Sequence, residues 1–184
     1  MTHLTREQLD AGLDEILRAP VDKGVLRLIV RRPAIGERES LDVGELGLEE
    51  GLIGDTWVKR GSSRTADGSR HPDMQLNVMS ARTIALIAQS PERWQLAGDQ
   101  LYVDLDISEA NVPPGTQLEI GSAVIEVTPQ PHTGCGKFVE RFGVEAMKFV
   151  NAPLGRSLRL RGLNARVLTP GTIRAGDLVT KRQV

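Results

Sequence analysis

The chain has 184 residues, of which 40% are apolar and 3% are aromatic, a composition typical of one globular domain with an aliphatic core. Its 23 basic and 24 acidic residues balance, so the basic surplus of a protein that grips nucleic acid is absent. With one cysteine and no apolar run of about eighteen residues, the sequence also excludes an internal disulfide, a multi-cysteine zinc site and a membrane span.

The N-terminal part of the chain predicts a helix. A capping-box pattern at Thr5 and Gln8 is followed by apolar residues on one helical face as far as Leu17. We therefore divide the chain into an N-terminal helical extension, residues 1–22, and a β-barrel domain, residues 23–184. The first residues lack the basic-then-apolar pattern of a secretory signal, which predicts a cytoplasmic protein.

The rest of the chain shows many short strands. Gly121-Ser122 supplies a two-residue turn between two alternating runs, which predicts a hairpin. Helices are predicted from about Ala81 to Gln89 and from Lys137 to Val150. Alternating or β-branched runs predict strands at residues 24–30, 54–58, 75–79, 101–103, 117–120, 123–127, 165–169 and 178–180. Short strands with frequent turns favour a mainly β fold, a β-barrel with a few peripheral helices, over a parallel sheet.

The dipeptide Gly-Asp occurs three times, at 54–55, 98–99 and 176–177. Each copy precedes a strand-like run, which predicts a turn whose glycine takes a positive φ and whose aspartate bonds the backbone.

The single cysteine lies in a polar loop. Cys135 stands between Gly134 and Gly136, close to the start of the last predicted helix, and Lys137 and His132 add nearby positive charge. Each of these features lowers the pKa of a thiol from its free value of about 8.5. A thiolate attacks electrophiles, carries a persulfide or binds a soft metal. We therefore predict that Cys135 is catalytic, supported by His132 and Lys137.

Two other interpretations of the cysteine stay open. A Cys–His hydrolase would pair Cys135 with His132 or His71, although catalytic dyads usually draw their members from separate elements. An inert cysteine is normally a small buried apolar residue, but such a residue lies on the apolar face of a helix or strand rather than between glycines.

Eight ordered segments of the chain resemble the MOSC domain, the C-terminal domain of molybdenum cofactor sulfurases. The resemblance extends from about Val25 to the C-terminus. The segments are Gly51–Asp55, His71–Leu76, Gly98–Leu101, Val112–Gly121, Glu126–Thr128, His132–Cys135, Arg161–Val167 and Gly176–Val179. The sequence is identified as a member of the stand-alone bacterial type.

This resemblance implies a β-barrel like that of pyruvate kinase and a molybdenum–molybdopterin cofactor. In family members the cysteine at the position of Cys135 serves as a molybdenum ligand or as a persulfide sulfur carrier. Some stand-alone members reduce N-hydroxylated compounds. Pyridoxal phosphate binding is a family-level property of the sulfurases, and the domain that provides it is not visible in this sequence.

The same resemblance implies certain partners. They are a cofactor sulfurase, a cofactor-accepting enzyme or a reductase, together with a small-molecule substrate. Because no electron-transfer domain is visible in the sequence, any reduction needs electrons from a separate protein.

A cofactor with a phosphate and a polar pterin needs cations and amide donors. A basic stretch with hydroxyl groups at Ser62 and Ser63 predicts an anion-binding loop, although such a stretch is also typical of a solvated surface. The predicted cofactor-binding residues are Lys59, Arg60, Arg64, His71 and Arg82, and, from the resemblance, Asp99, Gln100, Thr133 and Gly134. Arg141 and Arg159 are further candidates, and Asp99 also fits a turn-stabilising role.

Two functions without catalysis compete with the enzymatic one. The chain would then be a carrier or insertion module that holds cofactor for a partner enzyme, or a barrel used only for protein contacts.

Overall fold

The computed structural model describes residues 2–182. Eleven strands form the framework: β1 Lys23–Arg31, β2 Glu39–Leu41, β3 Val43–Gly47, β4 Gly51–Leu52, β5 Leu76–Ser80, β6 Leu101–Asp104, β7 Gln117–Ile120, β8 Ala123–Val127, β9 Leu163–Thr169, β10 Gly171–Arg174 and β11 Leu178–Lys181. Six α-helices accompany them: α1 Arg6–Ala11, α2 Leu13–Leu17, α3 Ala81–Ala88, α4 Gly136–Phe142, α5 Val144–Asn151 and α6 Pro153–Ser157. Three 3₁₀ helices cover Thr56–Lys59, Pro72–Met74 and Pro91–Ala97.

Seven of the strands close into a barrel. They follow the order β11-β7-β8-β9-β5-β6-β1, and β1 pairs again with β11. β5 and β6 run parallel, whereas the other neighbours in this ring are antiparallel. Closure removes the free strand edges that would otherwise invite aggregation. The predicted β-barrel with peripheral helices is therefore confirmed.

Strand β1 is long enough to serve two purposes. Its first residues pair with β11 to close the barrel, and its last residues, Ile29 to Arg31, extend beyond the closure and pair with β2. A second sheet of β10, β3 and β4 covers one side of the barrel. The chain leaves the barrel at the end of β1, and the turn that follows Arg31 forms part of the candidate functional site.

The barrel and the helices share strands but have separate cores. Along β5 and β6, Val78 and Leu101 point into an aliphatic barrel core, whereas Met79 and Tyr102 point outward into the helical layer. This is the alternation that an extended chain imposes on successive side chains. The three phenylalanines of the chain lie in the helical layer, on α4 and α5. The low aromatic content thus leaves the barrel interior to Leu, Val and Ile, as predicted.

Several predicted elements are confirmed and others are broken by glycine. Thr5 caps the first helix with the predicted capping box, but the helix stops at Gly12 and resumes as α2. The last predicted helix is likewise divided into α4 and α5 at Gly143, whose φ of 89° is strained for any residue with a side chain. The predicted 117–127 hairpin is present as β7 and β8.

The strand predicted over residues 54–58 is wrong. Asp55 caps a 3₁₀ helix there, and its side chain accepts a hydrogen bond from the backbone N–H of Trp57 at 2.9 Å. The three Gly-Asp turns themselves are confirmed, because Gly54, Gly98 and Gly176 all have positive φ. Asp99 nevertheless departs from the expected turn-stabilising role, as the site shows.

The N-terminal helices pack on the helical layer. Leu9 of α1 is fully buried and Ile16 of α2 is 7% exposed, and both belong to the cluster that contains Phe149 and Met79. The division of the chain at residue 22 stays a prediction.

We expect Leu9→Ala to lower the free energy of unfolding by about 2–5 kcal/mol, because it removes buried methyl groups and leaves a cavity. Leu17→Ala is the matched control, since Leu17 is 56% exposed, and it should cost less than about 0.5 kcal/mol. Urea denaturation of both variants measures the difference. Equal effects of the two substitutions would contradict the packing described here.

Candidate functional site

Cys135 lies at the mouth of a cleft, where the loop after β8 enters α4. Its side chain is exposed, and its carbonyl accepts the first hydrogen bonds of the helix, from Phe138 and Val139. The loop before it is held by Asn151 of α5, whose side-chain oxygen accepts a bond from the Gly134 N–H at 3.0 Å. The asparagine side chain also donates to the carbonyl of Gly134. The thiol is therefore presented to solvent by a backbone that is fixed on both sides.

The cleft beside Cys135 has a volume of about 360 Å³, which lies within the range of small-molecule sites. Cationic side chains dominate its wall, and no carboxylate is among the described residues that line it. The cations are Arg32, Arg38, Arg60, Lys137, Arg141 and Arg161. An enclosed wall of one charge sign attracts ligands of the opposite sign. The cleft is therefore suited to an anion.

A buried ion pair forms the floor of the cleft. The Arg32 guanidinium donates to both carboxylate oxygens of Asp55, at 2.7 and 2.8 Å, and both side chains are almost fully buried. Its remaining nitrogen donates to the carbonyl of Gly98 at 3.0 Å. Such a bidentate pair fixes the guanidinium in one orientation. Arg32 therefore links strand β1, the turn at Asp55 and the turn at Gly98.

A second buried carboxylate holds another part of the wall. Asp99 has no solvent exposure, and Arg161 donates to its two oxygens at 2.7 and 2.9 Å. His132 lies 2.8 Å from the same carboxylate and is 13% exposed. Burial alone would raise the pKa of Asp99, but Arg161 and His132 outweigh burial and hold that pKa at about 2. Asp99 thus supports two residues of the cleft from behind.

The charge state of His132 differs from the sequence prediction. Burial and the nearby Arg161 lower the pKa of His132, although Asp99 opposes them. The imidazole is therefore neutral near pH 7, and its Nε2–H donates to Asp99. Burial first, and then the charge of Arg161, therefore disfavour the positive charge expected from His132 beside the thiol.

Four of the six wall cations, Arg38, Arg60, Lys137 and Arg141, are not matched by a buried carboxylate among the described residues. Burial lowers the pKa of Arg38, and the neighbouring Arg141 and Arg32 lower it further. Burial and Arg32 likewise lower the pKa of Arg60. These shifts mark guanidinium groups that have lost hydration without gaining full compensation from the protein. An anionic ligand would supply that compensation.

A smaller recess of about 120 Å³ continues the cleft at the Arg60 end. Arg32, Arg60 and Asn77 line both cavities, and the recess adds His71 and Ser62. His71 also accepts a hydrogen bond from the backbone N–H of Asp73 at 3.2 Å through Nδ1. The predicted anion-binding loop therefore contributes Arg60 and His71 to the site.

Other predicted cofactor-binding residues lie outside the cleft lining. Lys59 is exposed on the preceding 3₁₀ helix. Arg64 contacts Gln130 and the carbonyl of Pro131, both at 3.4 Å, so it braces the cysteine loop from outside. Thr133 lines a separate cavity of about 280 Å³ on the other side of the loop.

Arg82 lies in a different part of the molecule. Its side chain forms ion pairs with Asp104 and Glu15, each at 2.7 Å, and lines a separate cavity of about 510 Å³ beside Trp94. Arg82, predicted as a cofactor-binding residue, therefore lies outside the cysteine cleft, because strand β6 and helix α2 supply the carboxylates that hold it.

Gln100 has a structural position. Its side chain is fully buried, accepts a bond from the backbone N–H of Asn77 at 2.8 Å and donates to the carbonyl of Gln75. It ties β5 to the turn that precedes β6. Direct contact of Gln100 with a ligand is therefore excluded while these bonds persist.

Three wall residues were not predicted from the sequence. Arg32 and Arg38 lie in the segment between β1 and β2, and Arg161 precedes β9. A lone arginine beside a turn carries little information, since most such residues are solvated. Arg161 does lie within a segment that carries the family resemblance, and this is the signal that could have identified it.

Comparisons with known proteins agree with this architecture. The family described as the MOSC domain matches residues 65–180. This chain belongs to the MOSC domain family. The family is generally associated with the molybdenum cofactor. No curated protein matches the sequence.

Solved structures show the same fold as this MOSC domain. YuaD from Bacillus subtilis aligns with a TM-score of 0.58 and 16% identity, over 88% of this chain and 97% of that one. YiiM from Escherichia coli aligns with a TM-score of 0.55 and 23% identity, over 87% and 70%. The crystal structure of a hypothetical protein aligns with a TM-score of 0.60 and 22% identity, over 88% and 69%.

The described residues contain neither a membrane-spanning helix nor a cluster of metal-binding side chains. Within residues 2–182, no helix combines the length and the apolar character needed to cross a membrane. Across the same residues, no group of three or more His, Cys, Asp and Glu side chains is placed to hold a metal ion by itself.

We expect Asp99→Asn to lower the free energy of unfolding by about 3–5 kcal/mol, because it leaves the buried Arg161 charge unpaired. Asp10→Asn breaks an exposed pair with Arg6 and should cost less than about 1 kcal/mol. Chemical denaturation at pH 7 measures both. A small effect at Asp99 would mean that the Arg161 charge does not depend on this carboxylate.

The pH dependence of stability should report the state of His132. Because its pKa is lowered on folding, the unfolded chain binds more protons below about pH 6.5, and stability falls as the pH decreases from there. The loss is limited to about 1.4 kcal/mol per pH unit for one group. We expect His132→Gln, which keeps a donor for Asp99, to reduce this slope in denaturation curves between pH 7.5 and 5. His3→Gln is the control for loss of an imidazole, and an equal reduction there would count against His132.

Proposed function

We propose that this MOSC domain binds the molybdenum cofactor in the cleft, with the Cys135 thiolate as a molybdenum ligand. The observation that carries this proposal is the position of the only cysteine of the chain at the mouth of a cleft lined by six cations. A soft thiolate suits molybdenum, and guanidinium groups suit the phosphate of the cofactor.

The residues present fit such a group. Arg38 and Arg60 are cationic wall residues without a carboxylate bond among the described residues, and the buried Nε of Arg38 has no hydrogen-bond partner there. Asn77 and backbone groups add neutral polar contacts suited to a pterin. Cys135 would supply one soft ligand, and the remaining ligands would come with the cofactor.

When bound, the molybdenum centre supplies two-electron redox chemistry at a substrate oxygen. The proposed reaction is reduction of an N-hydroxylated compound with two electrons and two protons: the N–O bond breaks, one proton goes to the nitrogen, and the hydroxyl group leaves as water with the other. Two electrons come from a separate redox protein. Small-molecule substrates of this class are what the family resemblance implies.

The chain's own residues then have distinct roles. Cys135 would hold the metal at the cleft mouth, and Lys137 would keep positive charge beside the thiolate. His132 lines the cleft as a neutral imidazole held by Asp99, so it can take up a proton from solvent and pass it to the departing oxygen. Arg161 orients Asp99, and Asp99 in turn holds His132, so Arg161 is a positioning residue.

A second candidate function uses the same thiol as a persulfide carrier. Its support is the exposure of Cys135 on the rim of the cleft, where a partner protein can reach the sulfur. A cofactor sulfurase would donate the sulfur, and a cofactor-accepting enzyme would receive it. If the chain binds cofactor but does not catalyse a reaction, it would serve as a carrier or insertion module that holds the cofactor for a partner enzyme.

Cys135→Ser should abolish most of the molybdenum binding. The protein is expressed in cells that make the cofactor, and molybdenum per chain is measured by mass spectrometry. We expect at least about a tenfold loss of metal, because a hydroxyl is a poor ligand for a soft metal. Thr133→Ala controls for disturbance of the loop, since Thr133 faces the separate cavity.

The outcomes separate the proposals. Equal molybdenum in wild type and Cys135→Ser removes the ligand role, and a persulfide-specific label on wild-type Cys135 would then favour the carrier. Retained metal without turnover of a hydroxylamine, with a reductase and electron donor present, favours the carrier module. A protein with neither metal nor persulfide favours a barrel used for protein contacts.

A further inference from the structure

Two arginines of the cleft wall lie close together outside the recess that contains Arg60. Arg38 comes from the turn between β1 and β2, and Arg141 comes from α4. Both approach Gly98: a Cβ added there would lie 3.5 Å from Nη2 of Arg38 and 3.9 Å from Nη1 of Arg141. Gly98 has a φ of 89°, so the position combines positive φ with close approach of two guanidinium groups.

Neither guanidinium is neutralised by the protein. Arg38 donates to the carbonyl of Glu37 and Arg141 donates to the carbonyl of Leu96, each at 2.5 Å. Carbonyls orient a guanidinium but carry no net charge. In the described part of the chain, neither arginine forms an ion pair with a carboxylate, in contrast to Arg32 and Arg161.

The pair also retains unused hydrogen-bonding capacity. The Nε of Arg38 is buried and has no partner among residues 2–182. A buried donor without a partner costs free energy, and so does the approach of two like charges. An oxyanion between the two guanidinium groups offsets the repulsion between the like charges, since each guanidinium offers a fork of donors.

This pair is distinct from the Arg60 end. Arg38 and Arg141 approach Gly98, whereas Arg60 lines the recess, which neither of them lines. Nη1 of Arg32 connects the two groups, because it donates both to Asn77 and to the carbonyl of Gly98. Asn77 also lines the recess that contains Arg60 and His71. The cleft thus has cationic groups at two ends.

The structure assigns Arg38 and Arg141 to an oxyanion subsite that is separate from the Arg60 end, so that the cleft accepts two anionic groups at once. This inference rests on the proposed function in placing one of those groups on the cofactor. The second oxyanion, a phosphate or carboxylate, belongs either to the substrate or to a further acidic group of the cofactor.

The surroundings favour an oxyanion that is attached to an organic group. Ile35, which is 90% exposed, and Ala34 line the same cleft and give it an apolar edge. An apolar rim beside two cations suits an acid that carries a hydrocarbon or a ring.

Inorganic phosphate tests the subsite without the cofactor. The protein is produced in cells that cannot make the cofactor, in an Arg60→Gln background that removes the cation at the other end. Calorimetric titration at low ionic strength gives the affinity. We expect Arg38→Gln and Arg141→Gln each to weaken phosphate binding by about tenfold or more, because each removes charge-assisted bonds.

Two further variants guard against trivial results. Arg27→Gln removes an exposed arginine from the barrel surface, where it pairs with Asp104, and should leave phosphate binding unchanged. Arg38→Lys keeps the charge but loses the fork, so it should recover part of the affinity. Unfolding curves identify any variant that fails to fold.

Molybdenum loading of the same variants, in the otherwise wild-type chain, identifies the source of the second oxyanion. Loading that falls in Arg38→Gln and Arg141→Gln assigns it to the cofactor. Unchanged loading, together with a higher KM for acidic but not for neutral N-hydroxylated substrates, assigns it to the substrate.

Phosphate affinity that is the same with and without Arg38 and Arg141 would overturn the subsite. That result is distinguishable from failure of the proposed function, since the titration uses cofactor-free protein. Wild-type protein without molybdenum would reject the proposed function and leave the phosphate result standing.

Discussion

A carboxylate without solvent exposure holds the wall of the cleft together. Asp99 accepts bonds from Arg161 and lies 2.8 Å from His132. An ionised carboxylate in a protein interior is tolerated only when it is paired and hydrogen-bonded. Asp99 lies in the turn before β6, Arg161 lies just before β9, and His132 lies in the loop after β8. Their pairing therefore fixes three distant segments, including the loop that presents Cys135.

The distribution of charge around the cleft follows from this arrangement. Arg32 and Arg161 are neutralised by buried carboxylates behind the wall, so they add shape and donors but little net charge. Arg38, Arg60, Lys137 and Arg141 are not neutralised in this way, and they make the cleft basic although the whole chain carries a formal net charge of −1. A balanced sequence can therefore build a locally basic cleft, because the compensating acids lie elsewhere.

Local signals predicted much of the fold. The capping box at Thr5, the cap at Ser80 and the hairpin turn at Gly121 each depend on bonds between residues close in sequence, and all three are present. The strand predicted over 54–58 failed because a distant partner decides that segment: Asp55 caps a 3₁₀ helix and pairs with Arg32. The break of the last helix at Gly143 is set by a positive φ, which one glycine in a helical pattern only suggests.

The sequence by itself singled out Cys135 as the centre of the proposed chemistry, because glycines on both sides and the start of a helix are local features. It also determined the barrel, through strand alternation and turns, and the family, through ordered motifs. Only the tertiary structure decided which cations face the cysteine, since Arg32, Arg38 and Arg161 come from segments far apart in the chain. It alone decided that His132 is neutral and that Arg82 lies elsewhere, because burial and ion pairing depend on neighbours that sequence spacing does not specify.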